Sequence, residues 1–264
     1  TTLFFSVINA DRLGPFPSWM GNQALGQTLE DETIRVLDSI LSRYENIDYV
    51  IFAGDIDYHF QRASGSIPTY IEFFDDVYSE IKSNHPDVQI GNSMSLENVL
   101  NKGMEPGGSF ELTPKLEMGD FIALSYKPIE TIGDINRTPQ EAIDNLKQSI
   151  EIFASHQLAF FEISWSTSDF VNGNSNDQAE FIKSSLNFFE ENESKIEFFT
   201  ISRLFDKPKG SCVSQDIQSV DGSGFTSNSF RLERVDEDVC NSGLIDTNQN
   251  IKSSWTQLKT NIPN

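Results

Sequence analysis

Two apolar runs in this chain end in carboxylates with aromatic residues close behind. Leu158 to Phe161 is followed at once by Glu162 and then by Trp165. Tyr49 to Gly54 leads likewise into Asp55 and Asp57, with Tyr58 and His59 beyond. A run apolar on both faces suits a strand buried between a sheet interior and covering helices, where a charge seldom sits in the middle. Each acid therefore belongs at the C-terminal end of its strand, the face on which parallel barrels build their sites. Two strand-end carboxylates with nearby aromatics are the equipment for cleaving a glycosidic bond. One protonates the leaving oxygen while the other attacks the sugar or activates water. The plainer reading is that each acid caps the next helix or pairs with a buried arginine. Trp165, three residues past the strand, is a candidate platform for a sugar ring, and Tyr126 could orient Glu162. Arg12, Trp19, Asn92 and Arg203 are further candidates near strand ends, and Asp57 is a second acid beside Asp55. His59 and His85 read as surface residues. No His/Cys/Asp cluster has metal-ligand spacing and no glycine-rich phosphate loop occurs, so neither metal nor cofactor is expected.

These residues need a scaffold of alternating strands and helices. Strand-like runs cover Leu3 to Ile8, Tyr49 to Asp57, Asp87 to Asn92, Gly119 to Tyr126, Leu158 to Ser164 and Ile196 to Leu204. Helical stripes lie between them, over Asp31 to Tyr44, the stretch after Pro68, Pro139 to Phe153, and the stretch after the Ser175-Asn176-Asp177 cap. Leu96 to Leu100 is a short helix candidate, and Ser253 to Lys259 a last one. This alternation predicts right-handed βαβ units and a parallel sheet. An eight-stranded (β/α)8 barrel needs two strands more than the six recognised. Either two units are supplied from upstream of Thr1 or by another polypeptide, or the sheet is an open, doubly wound one.

Composition narrows the partners. The net charge of −21 argues against a nucleic-acid binder, whose phosphates demand clustered Lys and Arg, and fits a neutral oligo- or polysaccharide. No apolar run approaches the roughly 20 residues of a spanning helix. The two cysteines, Cys212 and Cys240, both fall in the Ser/Gly/Asn-rich C-terminal segment 207–264. A disulfide there would staple a stretch poor in apolar residues and points to a secreted protein in an oxidising compartment. The whole of 1–264 reads as one domain.

In order and spacing, these stretches resemble the retaining-clan (β/α)8 glycoside hydrolases, nearest the endo-β-1,4-galactanase-like group. Tyr49-Val-Ile-Phe-Ala-Gly-Asp-Ile-Asp57 resembles that group's strand ending Gly-Asn-Glu-Val-Asp. Asp120 to Pro128 resembles its Thr-Tyr-Tyr-Pro strand, and Phe161 to Ser168 its nucleophile strand. Gln178-Ala-Glu-Phe181 and the closing Gly243-Leu244 to Trp255 match as well. The resemblance implies a TIM barrel lacking its first two strands. It also implies cleavage of galactan-like β-linked polysaccharide by Glu162 as nucleophile and the residue at position 55 as acid/base, with retention. The chain departs from the group at Asp55, where a glutamate is usual, and at Gly54, where an asparagine is usual. The shorter acid withdraws its carboxyl by about 1 Å, enough to cost roughly 100-fold in rate.

Overall fold

Strand and helix alternate as the periodicity predicts, in a computed structural model that describes residues 1–103, 107–130, 133–212 and 229–261. The first elements are β1 (Thr2–Phe4), a small hairpin of β2 (Ile8–Asn9) and β3 (Arg12–Leu13), and α1 (Gln27–Arg43). Next come β4 (Tyr49–Ile51), α2 (Ile56–Arg62), α3 (Ile67–Asn84), β5 (Gln89–Ser95), α4 (Leu96–Val99), α5 (Thr113–Leu116) and β6 (Phe121–Tyr126). The chain closes with α6 (Pro139–Ile152), β7 (Gln157–Ile163), α7 (Ser175–Glu191), β8 (Ile196–Ile201), α8 (Ser229–Cys240) and α9 (Ser253–Asn261).

Six of the strands form one parallel sheet in unbroken sequential order, β1-β4-β5-β6-β7-β8. A doubly wound sheet reverses its strand order at a switch point, and this one does not. The sheet curls instead into a half-barrel, the partial TIM barrel expected. Its curvature brings the Phe4 ring of β1 to 5.7 Å from that of Phe161 in β7. It also lets the Tyr49 hydroxyl of β4 donate to Glu197 of β8 at 2.9 Å.

Alternation sorts the side chains into two layers. Val50, Ile90, Ile122, Leu124, Leu158 and Phe160 point outward into the main core, under the helices. Ile51, Phe121, Ala123 and Ala159 point into the curl. Large and small side chains together fill this narrow interior, with Tyr49, Phe161 and Phe198 packed beside the two alanines. Gly91 marks the tightest point, since a Cβ there would stand 2.1 Å from the Phe121 carbonyl oxygen. The helices supply the outer layer through their stripes, as with Tyr70, Phe73, Phe74, Val77 and Ile81 of α3. Each such buried side chain is worth about 1.5–3 kcal/mol.

Helix α6 opens with a capping box between Thr138 and Glu141 and has Pro139 in its first turn. Helix α7 is capped by Asn174, whose side chain accepts from the Asn176 and Asp177 amides, one residue before the cap read from sequence. Such caps are worth about 1 kcal/mol each.

Two expectations need correction. The strand expected over Tyr49 to Asp57 is regular only over Tyr49–Ile51, its backbone bonds to neighbouring segments continue to Gly54, and the chain has turned into α2 by Ile56. The segment 207–264, expected to be loop-rich up to Ser253, contains α8. Its apolar stripe of Leu232, Val235 and Val239 is diluted by acids, which hides the helix from hydropathy. Cys212 and Cys240 are disulfide-bonded, with Cα atoms 5.6 Å apart. The bond ties the end of α8 back to the chain that leaves β8. Most of the apolar-poor stretch between the two cysteines, residues 213–228, lies outside the described residues. Among the described residues no helix is long and apolar enough to cross a membrane.

Candidate active site at the strand ends

The C-terminal ends of β4 to β7 gather their polar residues at the mouth of the half-barrel. Asp55 stands there because the chain leaving β4 makes a sharp turn. Its backbone is left-handed, at φ 46° and ψ 47°, immediately before α2. That conformation is strained for a non-glycine residue and is held by its surroundings. The Asp55 amide donates to Ser93 Oγ at 2.7 Å, and Asp55 Oδ1 accepts from Ser93 and Ser125 at 3.1 and 2.8 Å. Burial first, and then the neighbouring charge of Glu162, push the Asp55 carboxyl above its ordinary range, against the pull of Ser125 and Lys127.

A two-residue spacing within a strand would put Asp57 on one face with Asp55, but both lie beyond the strand Tyr49–Ile51. Asp57 is fully buried in the first turn of α2 and accepts from the Ser95 amide (3.0 Å), Asn98 Nδ2 (2.6 Å) and Ser109 Oγ (2.9 Å). Burial, and then Asp55, raise it to about 7. Its oxygens are committed to the wall of the site.

Glu162 owes its position to a bulge. Along β7, Phe160 pairs with Leu124 while Glu162 pairs with Ser125, so Phe161 is an extra residue in the ladder. In a regular strand Glu162 would share the outward face of Phe160. The bulge shifts the alternation by one and re-aims a side chain, as bulges near active sites do. Glu162 then lies level with Ser125, on the side of Lys127, whose ammonium pairs with its carboxylate at 3.0 Å. Desolvation draws the Lys127 ammonium down, but Glu162, Asp55 and Asp238 together hold it above its ordinary value.

A cavity of ≈ 530 Å³ opens between these elements. Asp55, Ser95, Ser125 and Lys127 line its floor; Asp11 and Arg12 of the β2–β3 hairpin, with Tyr58 and Arg62 of α2, form one wall. Val235, Asp238 and Val239 of α8 form another. The volume suits a small organic ligand. Glu162 is not among the lining residues; it is tied to the cavity only by its ion pair with Lys127, which is. Asp238 is buried, which lifts it to about 7 against the pull of Lys127 and Arg203.

The other sequence candidates divide clearly. Arg12 lines the cavity, beside Asp11, which also takes Arg62 at 2.9 Å. Arg203 comes 3.5 Å from Cys212 Sγ, near α8. Trp19 is 66% exposed and lines no part of the cavity. Trp165 is only 1% exposed, with its ring 5.1 Å from that of Phe181, so it stacks on the helix layer and presents no face to a ligand. Tyr126 points outward too, where its hydroxyl accepts from Asn145 at 2.8 Å, and cannot orient Glu162. Asn92 is buried on the same outer side, accepting from Tyr70 at 2.7 Å.

Strand parity carried part of this. Tyr126 and Asn92 are out of phase with Ser125, Lys127 and Ser93, so the inward residues of each strand were the ones to follow. Lys127 could have been found that way; Asp238, in a helix whose apolar stripe is diluted by acids, offered no such signal. Cys212, Asp236 and Cys240 present ligand-type atoms within 4.8 Å of one another, but the two sulfurs are bonded to each other and cannot serve as thiolates.

No protein-family model matches the chain, and no curated protein matches it in sequence. Solved structures do match in fold. The GH53 catalytic domain of Ignisphaera aggregans superposes with a TM-score of 0.63 at 14% identity, covering 99% of this chain and 74% of that one. A GH5_18 protein from Bifidobacterium longum, in complex with Manb1-4GlcNAc, gives 0.60 at 10% identity, over 92% of this chain and 54% of that one. The GH128 endo-beta-1,3-glucanase of Lentinula edodes gives 0.52 at 12% identity, over 85% and 74%. All three are glycoside hydrolases, and at these identities the likeness is one of fold.

Proposed function

We propose that this chain is a glycoside hydrolase that cleaves a β-linked neutral polysaccharide, galactan-like in linkage, by a retaining two-carboxylate mechanism. The observation that carries the reading is that Asp55 and Glu162 both stand at strand ends around Ser125, which donates to Asp55 and pairs in the ladder with Glu162. Burial and the Glu162 charge push the Asp55 carboxyl up, the direction a general acid requires. Glu162 attacks the anomeric carbon while Asp55 gives its proton to the leaving oxygen. Water then opens the glycosyl-enzyme bond with Asp55 as base. Ser93 and Ser125 fix the Asp55 carboxyl, and Lys127 fixes Glu162. The fold of the GH53 and GH5 neighbours supports this reading, as does the sequence resemblance. With the disulfide, we read the protein as one secreted domain.

A second reading has its own observation. The Lys127 ion pair occupies the Glu162 carboxylate, and the Phe4 ring fills the space beside Gly54, where a Cβ would meet its Cζ at 2.6 Å. A carbohydrate-binding protein on a barrel without turnover would tolerate both. Incubation with a panel of β-linked polysaccharides separates the two, with product anomers followed by proton NMR. The hydrolase reading expects β-configured first products from the wild type and none from Glu162→Gln. Equal turnover by the variant removes Glu162 from the mechanism, and glycan binding without turnover favours the second reading.

A further inference from the structure

Helix α8 carries three consecutive buried acids, and two of them are fully employed within the protein. Asp236 accepts from the Gly210 and Cys212 amides, fixing the chain beside the disulfide. Glu237 takes Lys209 at 2.7 Å and Ser168 Oγ at 2.9 Å, fixing the helix to the loop after β7. Asp238 differs. It is 3% exposed, it borders the cavity, and its Oδ2 is buried with no hydrogen-bond partner among the described residues.

A buried acceptor without a donor is costly, and native proteins seldom keep one without a use. Val235 and Val239 flank Asp238 on the cavity side, at the i, i+3, i+4 spacing of a single helix face. That face offers apolar surface on both sides of one strong acceptor. A sugar ring offers the complement, C–H faces edged by hydroxyl donors. The disulfide and the Asp236 and Glu237 contacts hold this face in place before any ligand arrives, which favours binding.

We propose that Asp238 accepts a hydrogen bond from a hydroxyl of a bound neutral sugar, so that α8 forms one wall of a glycan subsite opening on Asp55 and Lys127. The proposal rests on the reading of the cavity as a glycan site, but it does not require turnover.

The test is calorimetric titration of the full-length Glu162→Gln protein at pH 8.5, above the value of about 7 to which Asp238 is raised, with β-1,4-galactotetraose and with cellotetraose. Adding Asp238→Ala is expected to weaken binding of the better probe by about 10- to 100-fold, the effect of losing a hydrogen bond to a charged group. Asp238→Asn, which keeps an acceptor, is expected to lose less. Val235→Phe fills the same wall without touching the charge and is expected to weaken binding too, and it decides the matter if the Asp238 variants fail to melt cooperatively. Unchanged affinity in the folded variants overturns the proposal, as does failure of both probes to bind. Asp238-dependent binding without hydrolysis by the wild type upholds the subsite and refutes the hydrolase reading.

Discussion

Lys127→Met removes the ammonium that faces Asp55, Glu162 and Asp238 together, and its effect can be worked from the geometry. At the observed 3.0 Å, opposite unit charges attract by about 1.4 kcal/mol in bulk water and about 5.5 kcal/mol at an effective dielectric of about 20. The two side chains are 34% and 41% exposed, so screening places the pair near the lower figure. A loss of about 1–2 kcal/mol in unfolding free energy near neutral pH is expected. The Lys127 ammonium is held above its ordinary value, so its contribution is full below the usual lysine range and disappears as pH rises through the folded value. On the acid side the loss shrinks as the partner carboxylates take up protons. Urea titrations of wild type and variant across this range read both limbs. Carbon NMR of the Asp55 carboxyl gives an independent check. Lys127 draws that carboxyl down, so the substitution must move its titration higher. A variant as stable as wild type at every pH, or an Asp55 that titrates lower, refutes the charge arrangement described for the site.

Two further outcomes follow from burial and the disulfide. Asp57 and Asp238 rise from an ordinary 3.8 to about 7, so between those values the folded state keeps protons that the unfolded chain has lost. Stability should therefore fall as pH rises through this window, by up to about 1.4 kcal/mol per pH unit for each group, and denaturant midpoints that rise with pH there contradict it. Reducing Cys212–Cys240, which are 28 residues apart, should cost about 3–4 kcal/mol by chain entropy. Limited proteolysis should then cut α8 before circular dichroism reports melting of the half-barrel, and an unchanged cleavage pattern after reduction counts against α8 depending on the bond.

The sequence by itself determined the layer structure. Apolar runs of strand length alternating with stripes such as Tyr70, Phe73, Phe74, Val77 and Ile81 can be buried together only as a parallel sheet under helices. The grouping of the two cysteines in a stretch poor in apolar residues favoured a bridge over two free thiols, and the two are bonded. Which strand-end residues meet was partly legible, because inward and outward positions alternate and Tyr126 cannot face the same way as Ser125. Tertiary structure alone decided the rest. The Phe161 bulge turns Glu162 inward, and a bulge is an irregularity between neighbouring strands that one strand's sequence does not display. The left-handed turn at Asp55 separates it from Asp57, and serines from two other strands hold it. Asp238 joins the site because α8 folds back across the barrel mouth. Acids that dilute a helix's apolar stripe carry no local sign of burial; only the packing around them supplies it.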